Sequence, residues 1–260
     1  GMAVNEENLE GIDFLIKHGA DINKKSTDLF APLYIAAEQG YTKVIKRLLK
    51  EENIDINTRN RDGSSPLHVA IYNGHIEATI LLMKAGADIE AVNNRGYTPI
   101  FWAAQRNNKQ FLELLIQAGA TANITNHVGV TPLHYANESD DPEIIQILLD
   151  AGVEIDKTDP DGHTALSIAV LKNNFEHVKI LYENGANISH KPRAGESILH
   201  LAALMGHFGL VLYLAQKGID VNTTNDKGQT PMHTVVRLCE NNISLTITML
   251  VRNGADINQR

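Results

Sequence analysis

Apolar residues along this chain fall into paired short runs that return at a fixed interval. In one unit, Pro99-Ile100-Phe101-Trp102-Ala103-Ala104 leads through a turn to Phe111-Leu112-Glu113-Leu114-Leu115-Ile116. Apolar positions at three- and four-residue steps share one helical face, so the second run predicts an amphipathic helix. The first run opens on Thr98-Pro99. Threonine is a good N-cap, and proline suits the first helical position because its missing N–H would have no partner there anyway. Turns such as Asn73-Gly74-His75 and Met205-Gly206-His207 separate the two helices. Glycine ends the second, as in Ala118-Gly119-Ala120, where a residue tolerant of positive φ is wanted. A short Asp-Ile-Asn segment and the next unit's glycine predict a projecting hairpin-like connection.

The unit repeats in phase over nearly the whole chain. Pro32, Pro66, Pro99, Pro132, Ala165, Ile198 and Pro231 follow one another at intervals of 34, 33, 33, 33, 33 and 33 residues. Gly19, Gly86, Gly119, Gly152, Gly185, Gly218 and Gly254 keep the same beat, apart from an extra residue at Lys50–Asn53 and three around Cys239–Asn242. A period of this length marks a stacked repeat architecture. We read residues 1–260 as one domain of seven full repeats, at about 26–59, 60–92, 93–125, 126–158, 159–191, 192–224 and 225–258, after a partial repeat at about 3–25. Stacked arrays need polar terminal units. None is evident beyond Glu6, Glu7, Glu10 and Asp13, so the expectation is a piece of a longer protein.

Gly63 to Ala70 with Ala85 to Ile89, and Gly228 to His233 with Gly254 to Asn258, closely match a specific motif: Gly-x-Thr-Pro-Leu-His-x-Ala-Ala, then Leu-Leu-x-x-Gly-Ala-Asp-x-Asn. On these residues the chain resembles the ankyrin-repeat family, across about residues 3 to 258. The resemblance implies an all-α solenoid of stacked helix-turn-helix pairs with projecting β-hairpin fingers, its first helices and fingers lining a concave groove. It also implies a non-catalytic scaffold for protein–protein interaction. Three departures predict altered turns within the same fold: Leu29-Phe30-Ala31-Pro32 in the first repeat, Asp140-Asp141-Pro142 in the fourth and Ser197-Ile198 in the sixth.

Composition narrows the partner. A net charge of −8 disfavours nucleic acid, whose phosphates need clustered Lys and Arg, and equally an anionic membrane surface. Cys239 is the only cysteine, which rules out an internal disulfide and a multi-cysteine zinc site and fits a reducing, intracellular (cytoplasmic) setting. The N-terminus has no basic region followed by an apolar run. Leu199 to Leu214 carries no formal charge, but its histidines and the Gly206-His207 break read as two short packed helices and not a membrane span.

Catalytic signals are missing: there is no phosphate-binding glycine loop, no nucleophile elbow and no dinucleotide fingerprint. No cofactor or metal is expected. Of the eleven histidines, His68, His134, His200 and His233 occupy the frame and His75 and His207 the turn; all six read as structural hydrogen-bonding groups without a Cys or carboxylate at ligand spacing. Asp21-Ile22-Asn23 and Asp256-Ile257-Asn258 read as finger-stabilising triplets, since calcium-loop spacing is absent. By the family resemblance, Asn23, Asn57, Asn222 and Asn258 are candidate sites of asparagine hydroxylation.

Function should then lie at positions the frame leaves free. At about 100° per residue, Ala103 and Ala104 face the neighbouring repeat while Trp102, Gln105 and Arg106 point the opposite way. Tyr72, Tyr97, Trp102, Gln105, Arg106 and Tyr135 gather over the second to fourth repeats as candidate partner-binding residues. Leu171, Leu204, Met205 and Leu238, with Leu201, continue as an apolar stripe over the fifth to seventh. Trp, Tyr and Arg are enriched in binding hot spots. A second reading has Trp102 packed under the fingers and stacked with Arg106, four residues on, as a local cation–π pair. We expect a monomer that holds a protein or peptide in its groove. The alternative is a targeting or regulatory module of a longer enzyme such as a kinase, a ubiquitin ligase or a bacterial effector. If neighbouring repeats share the Ala103 face, replacing Ala103 with a bulky charged residue splits cooperative thermal unfolding into two steps; a single unchanged transition contradicts this.

Overall fold

The computed structural model describes residue 4 and residues 7–106, 108–238 and 242–258. Among them the chain forms fifteen α-helices and one 3-10 turn, with no β-strand. Contacts divide it into two compact units, residues 1–128 and 129–260. In the first, α1 (Leu9–Lys17) precedes three helix pairs: α2 (Pro32–Gln39) with α3 (Thr42–Leu48), α4 (Pro66–Tyr72) with α5 (Ile76–Lys84), and α6 (Pro99–Gln105) with α7 (Lys109–Gln117). The second unit has four: α8 (Pro132–Ala136) with α9 (Glu143–Asp150), α10 (Ala165–Leu171) with α11 (Phe175–Glu183), α12 (Ile198–Leu204) with α13 (Phe208–Gln216), and α14 (Pro231–Leu238) with α15 (Ile243–Arg252). Within each unit, first helices stack on first helices, as α2 on α4 on α6 and α8 on α10 on α12, and second helices on second, as α3 on α5 and α9 on α11.

Small residues make the first-helix stack possible. Ala36, Ala37, Ala70, Ala103 and Ala104 in the first unit, and Ala136, Ala169, Ala202 and Ala203 in the second, are wholly buried. A methyl group allows close approach, and a larger side chain there must displace a neighbour in a close-packed core. Behind them, Ile45, Leu82 and Leu115 in one unit, and Ile145, Leu181 and Leu214 in the other, supply the apolar volume that a single pair could not cover.

The frame histidines supply the polar half of the fold. Ser65 N–H donates to His68 Nδ1 at 3.2 Å, so Nδ1 carries no proton, and the Ser65 hydroxyl also lies 2.8 Å from it. The proton is therefore on Nε2, which donates to the backbone oxygen of Tyr97 in the next finger at 3.0 Å. Thr131–His134 reaches the His163 oxygen (3.1 Å) and Ser197–His200 reaches the Gln229 oxygen (2.9 Å) in the same way. Each imidazole thus completes the helix cap and ties one repeat to the next. The turn histidines tie backwards: His75 Nε2 donates to the Glu38 oxygen (2.9 Å) and His207 Nε2 to the Leu171 oxygen (3.1 Å), satisfying carbonyls at a preceding helix end.

Three details refine the sequence reading. Thr98 does not cap α6 with its side chain; its hydroxyl is buried without a partner, because Phe101 stands where the frame has histidine. The fingers are hairpins closed by one backbone bond across a turn, such as Asn93 N–H to the Tyr97 oxygen (3.0 Å), and joined to a neighbour by another, such as Asn94 N–H to the Asp62 oxygen (2.9 Å), too narrow a ladder to form a strand. Gly96 makes the next such approach possible, His127 N–H to the Arg95 oxygen (3.1 Å): its φ is +82°, and a Cβ there would collide with the His127 backbone nitrogen. Finally, the asparagines at finger starts bridge repeats: Asn23 Oδ1 accepts from Asp55 N–H (2.8 Å), Asn57 Oδ1 from Asp88 N–H (2.9 Å) and Asn222 Oδ1 from Asp256 N–H (2.8 Å). No helix among the described residues is long and apolar enough to cross a membrane.

Burial pushes His68 down from 6.5 to about 4, and it lowers His134, His177 and His200 as well. A lowered folded pKa means that the unfolded chain takes up the proton first, so stability is full above about pH 6.5 and falls as the pH drops toward about 4. For His68 alone, with 1% of its surface exposed, the loss is roughly 3 kcal/mol across that window. Urea unfolding should show the midpoint falling between about pH 6.5 and 5, above the range in which ordinary carboxylates titrate; a flat midpoint there contradicts the neutral-imidazole frame.

Candidate binding surface

The candidate site of the first unit is shaped by the finger that enters α6. Asn93, buried, accepts through Oδ1 from the N–H groups of Arg95 (2.9 Å) and Tyr97 (3.0 Å), while His68 holds the Tyr97 carbonyl from the repeat before. That fixes where the Tyr97 ring can go. It lies 5.1 Å from the Trp102 ring and edge-on to Phe101 at 5.2 Å and 84°. Tyr72, from the end of α4, meets Trp102 edge-to-face at 5.1 Å and 87°. Such pairs add about 0.5–1.5 kcal/mol beyond area burial, so the rings form one preorganised cluster. Phe101 is 1% exposed and belongs to the core. Trp102 and Tyr97 are half-buried, Gln105 likewise, and Tyr72 remains 43% exposed.

Arg106 does not stack on Trp102. Its guanidinium lies 3.8 Å from the centre of the Tyr72 ring, one repeat away, so the cation–π contact joins repeats.

In front of this cluster lies an open hollow of about 290 Å³, built by three successive repeats. Tyr34 and Glu38 come from α2; Asn60, Asp62 and Ser64 from the next finger; Val69, Tyr72 and Asn73 from α4; Asn93, Arg95 and Trp102 from the third. Tyr34 occupies the position that His68 holds in its own repeat, and likewise reaches the following finger, accepting from Asn60 Nδ2 at 3.0 Å. Burial, with Glu38 and Asp62 nearby, pushes its pKa up to about 12, so the phenol stays neutral.

Sequence reasoning passed over Glu38, Asp62, Arg95 and Asn93 as site residues. A signal existed for Asn93: Asn60, Asn93, Asn126, Asp159 and Asn225 keep the repeat period. The hollow gave none, because its walls come from positions that meet only when repeats stack.

The second-unit candidates form a less uniform surface than a continuous stripe. Tyr135, Leu171 and Leu204 are half-buried and Met205 is 44% exposed, whereas Leu201 is 5% exposed and packs into the core. The Leu238 side chain and the whole of Cys239 lie outside the described residues. Outside the six histidines of the frame and turns, His163 gathers with Asp159 and Asp161 in one finger. There Asp159 Oδ1 already accepts from the Asp161 and His163 N–H groups at 2.9 and 2.8 Å, as a turn-forming side chain does.

Comparison with known proteins agrees with this architecture. A family model described as ankyrin repeats (3 copies) matches residues 1–93, 80–159, 100–192, 138–225 and 189–260. No curated protein sequence matches at a significant level. Among solved structures, the chain is similar to one titled crystal structure of human ASB11 ankyrin repeat domain, with 26% identity, a TM-score of 0.77 and coverage of 87% of this chain and 99% of that one.

Proposed function

This chain belongs to the ankyrin-repeat family, and we propose that it is a non-catalytic interaction module that holds a partner peptide or domain against the outward side of its first helices and fingers. Ankyrin repeats generally mediate protein–protein interaction, and such domains are typically non-catalytic. The cluster of Tyr72, Trp102, Tyr97 and Arg106 carries the reading. Helix α6 packs against its neighbour through Ala103 and Ala104, and the half-buried Trp102 ring adds an aromatic surface beyond that small-residue face. Rings locked against one another lose little side-chain entropy when a partner arrives, which is how a small surface gains affinity. Gln105 on the same helix would border the contact; Tyr135, Leu171, Leu204, Met205 and Leu238 would give the second unit a contact of its own. The net charge of −8 supports a protein that binds neither nucleic acid nor an anionic membrane surface, and the single cysteine fits a reducing, intracellular setting; we take the chain as a monomer.

The test is to identify partners by affinity capture and then measure each as a purified protein. Trp102→Ala combined with Arg106→Ala should weaken binding by about 2 kcal/mol or more, roughly 30-fold, with an unchanged circular dichroism spectrum. Equal affinity for wild type and variant removes this surface from the binding site.

A further inference from the structure

The charge of the hollow in front of Trp102 is not explained by the aromatic cluster. Glu38 and Asp62 both line it, and neither carboxylate has a hydrogen bond or ion pair among the described residues. Yet both residues are pinned through their main chains. The Glu38 carbonyl accepts from Asn73 Nδ2 (3.2 Å) and His75 Nε2 (2.9 Å), and the Asp62 carbonyl accepts from Asn94 N–H (2.9 Å). Two unpaired anions are therefore held beside aromatic rings whose faces are electron-rich. The chain already seats a guanidinium on one of these rings, Arg106 on Tyr72. Tyr34, kept neutral, adds a polar floor without another charge. At about 290 Å³ the hollow is slightly below the range of about 300–1,000 Å³ that encloses a whole small molecule, and suits one side chain of a larger partner.

Resting on the interaction reading above, we propose that this hollow is a subsite for a basic side chain, arginine or lysine, of the partner peptide. The charged end sits between Glu38 and Asp62, and the methylene stem lies along Tyr72 and Trp102. Arg95, the one cation among the described residues that line the hollow, opposes entry and sets an upper limit on affinity.

Trp102 is the only tryptophan, so its fluorescence reads the hollow without a label. The full chain is titrated with capped pentapeptides in a Gly-Ser frame whose central residue is Arg, Lys, Gln or Glu. The Arg and Lys peptides should give a saturable change with Kd on the order of 1 mM or below, and the Gln and Glu peptides none. Their relative strength identifies the preferred head group. Glu38→Gln with Asp62→Asn should weaken binding about 10-fold or more, added salt should weaken it further, and Arg95→Gln should tighten it. Circular dichroism checks that each variant is folded. No saturable change up to about 10 mM peptide, an equal response to the Glu peptide, or a double variant that binds like wild type overturns the subsite. A protein partner that loses affinity with Trp102→Ala and Arg106→Ala but not with Glu38→Gln and Asp62→Asn removes the subsite while leaving the interaction reading intact.

Discussion

A buried imidazole that accepts at one nitrogen and donates at the other is the constraint on which both units depend. At His68, His134 and His200, Nδ1 closes the cap at the start of a first helix and Nε2 reaches the finger that follows. One side chain thereby sets the helix start, the position of the next finger and the spacing between the two. Leaving either ring nitrogen unpaired in that setting costs about 1–3 kcal/mol. Alanines on the facing helices let the repeats come close enough for the bond to form. Packing and hydrogen bonding are two aspects of one geometry.

The candidate surface arises where this rule is followed on one side and broken on the other. His68 holds the finger that carries Tyr97, while Phe101, in the next repeat, replaces the imidazole and leaves the Thr98 hydroxyl orphaned. In exchange the Phe101 ring packs edge-on against Tyr97, which in turn meets Trp102. A capping bond is lost and an aromatic wall is gained. Natural sequences depart from local consistency most often at functional positions. The same logic applies to Glu38 and Asp62, whose main chains serve the repeat frame while their side chains serve nothing within it.

Much of the fold was legible in the sequence because the repeat is local. Pro99 begins α6, Gly119 (φ +90°) follows α7, and the buried alanines lie where the helical period puts them. What was not legible depends on contacts between repeats. Arg106 has Trp102 at the four-residue spacing that favours pairing, yet it stacks on Tyr72, 34 positions earlier, because the neighbouring helix offers the more exposed ring. Leu201 occupies the same helical register as Trp102 but is buried. The hollow joins Tyr34, Asp62 and Trp102 from three repeats, a juxtaposition with no sequence spacing of its own.

The state of the His68 ring tests this account most directly. Nitrogen-15 chemical shifts of imidazole, followed against pH, report both the tautomer and the pKa. The account predicts a single tautomer with the proton on Nε2, unchanged from about pH 8 to about pH 5, and protonation only near the pH of about 4 to which burial lowers this group. A proton on Nδ1, or titration near the ordinary value of 6.5, would contradict the bond from helix cap to finger and with it the placement of Tyr97 beside Trp102.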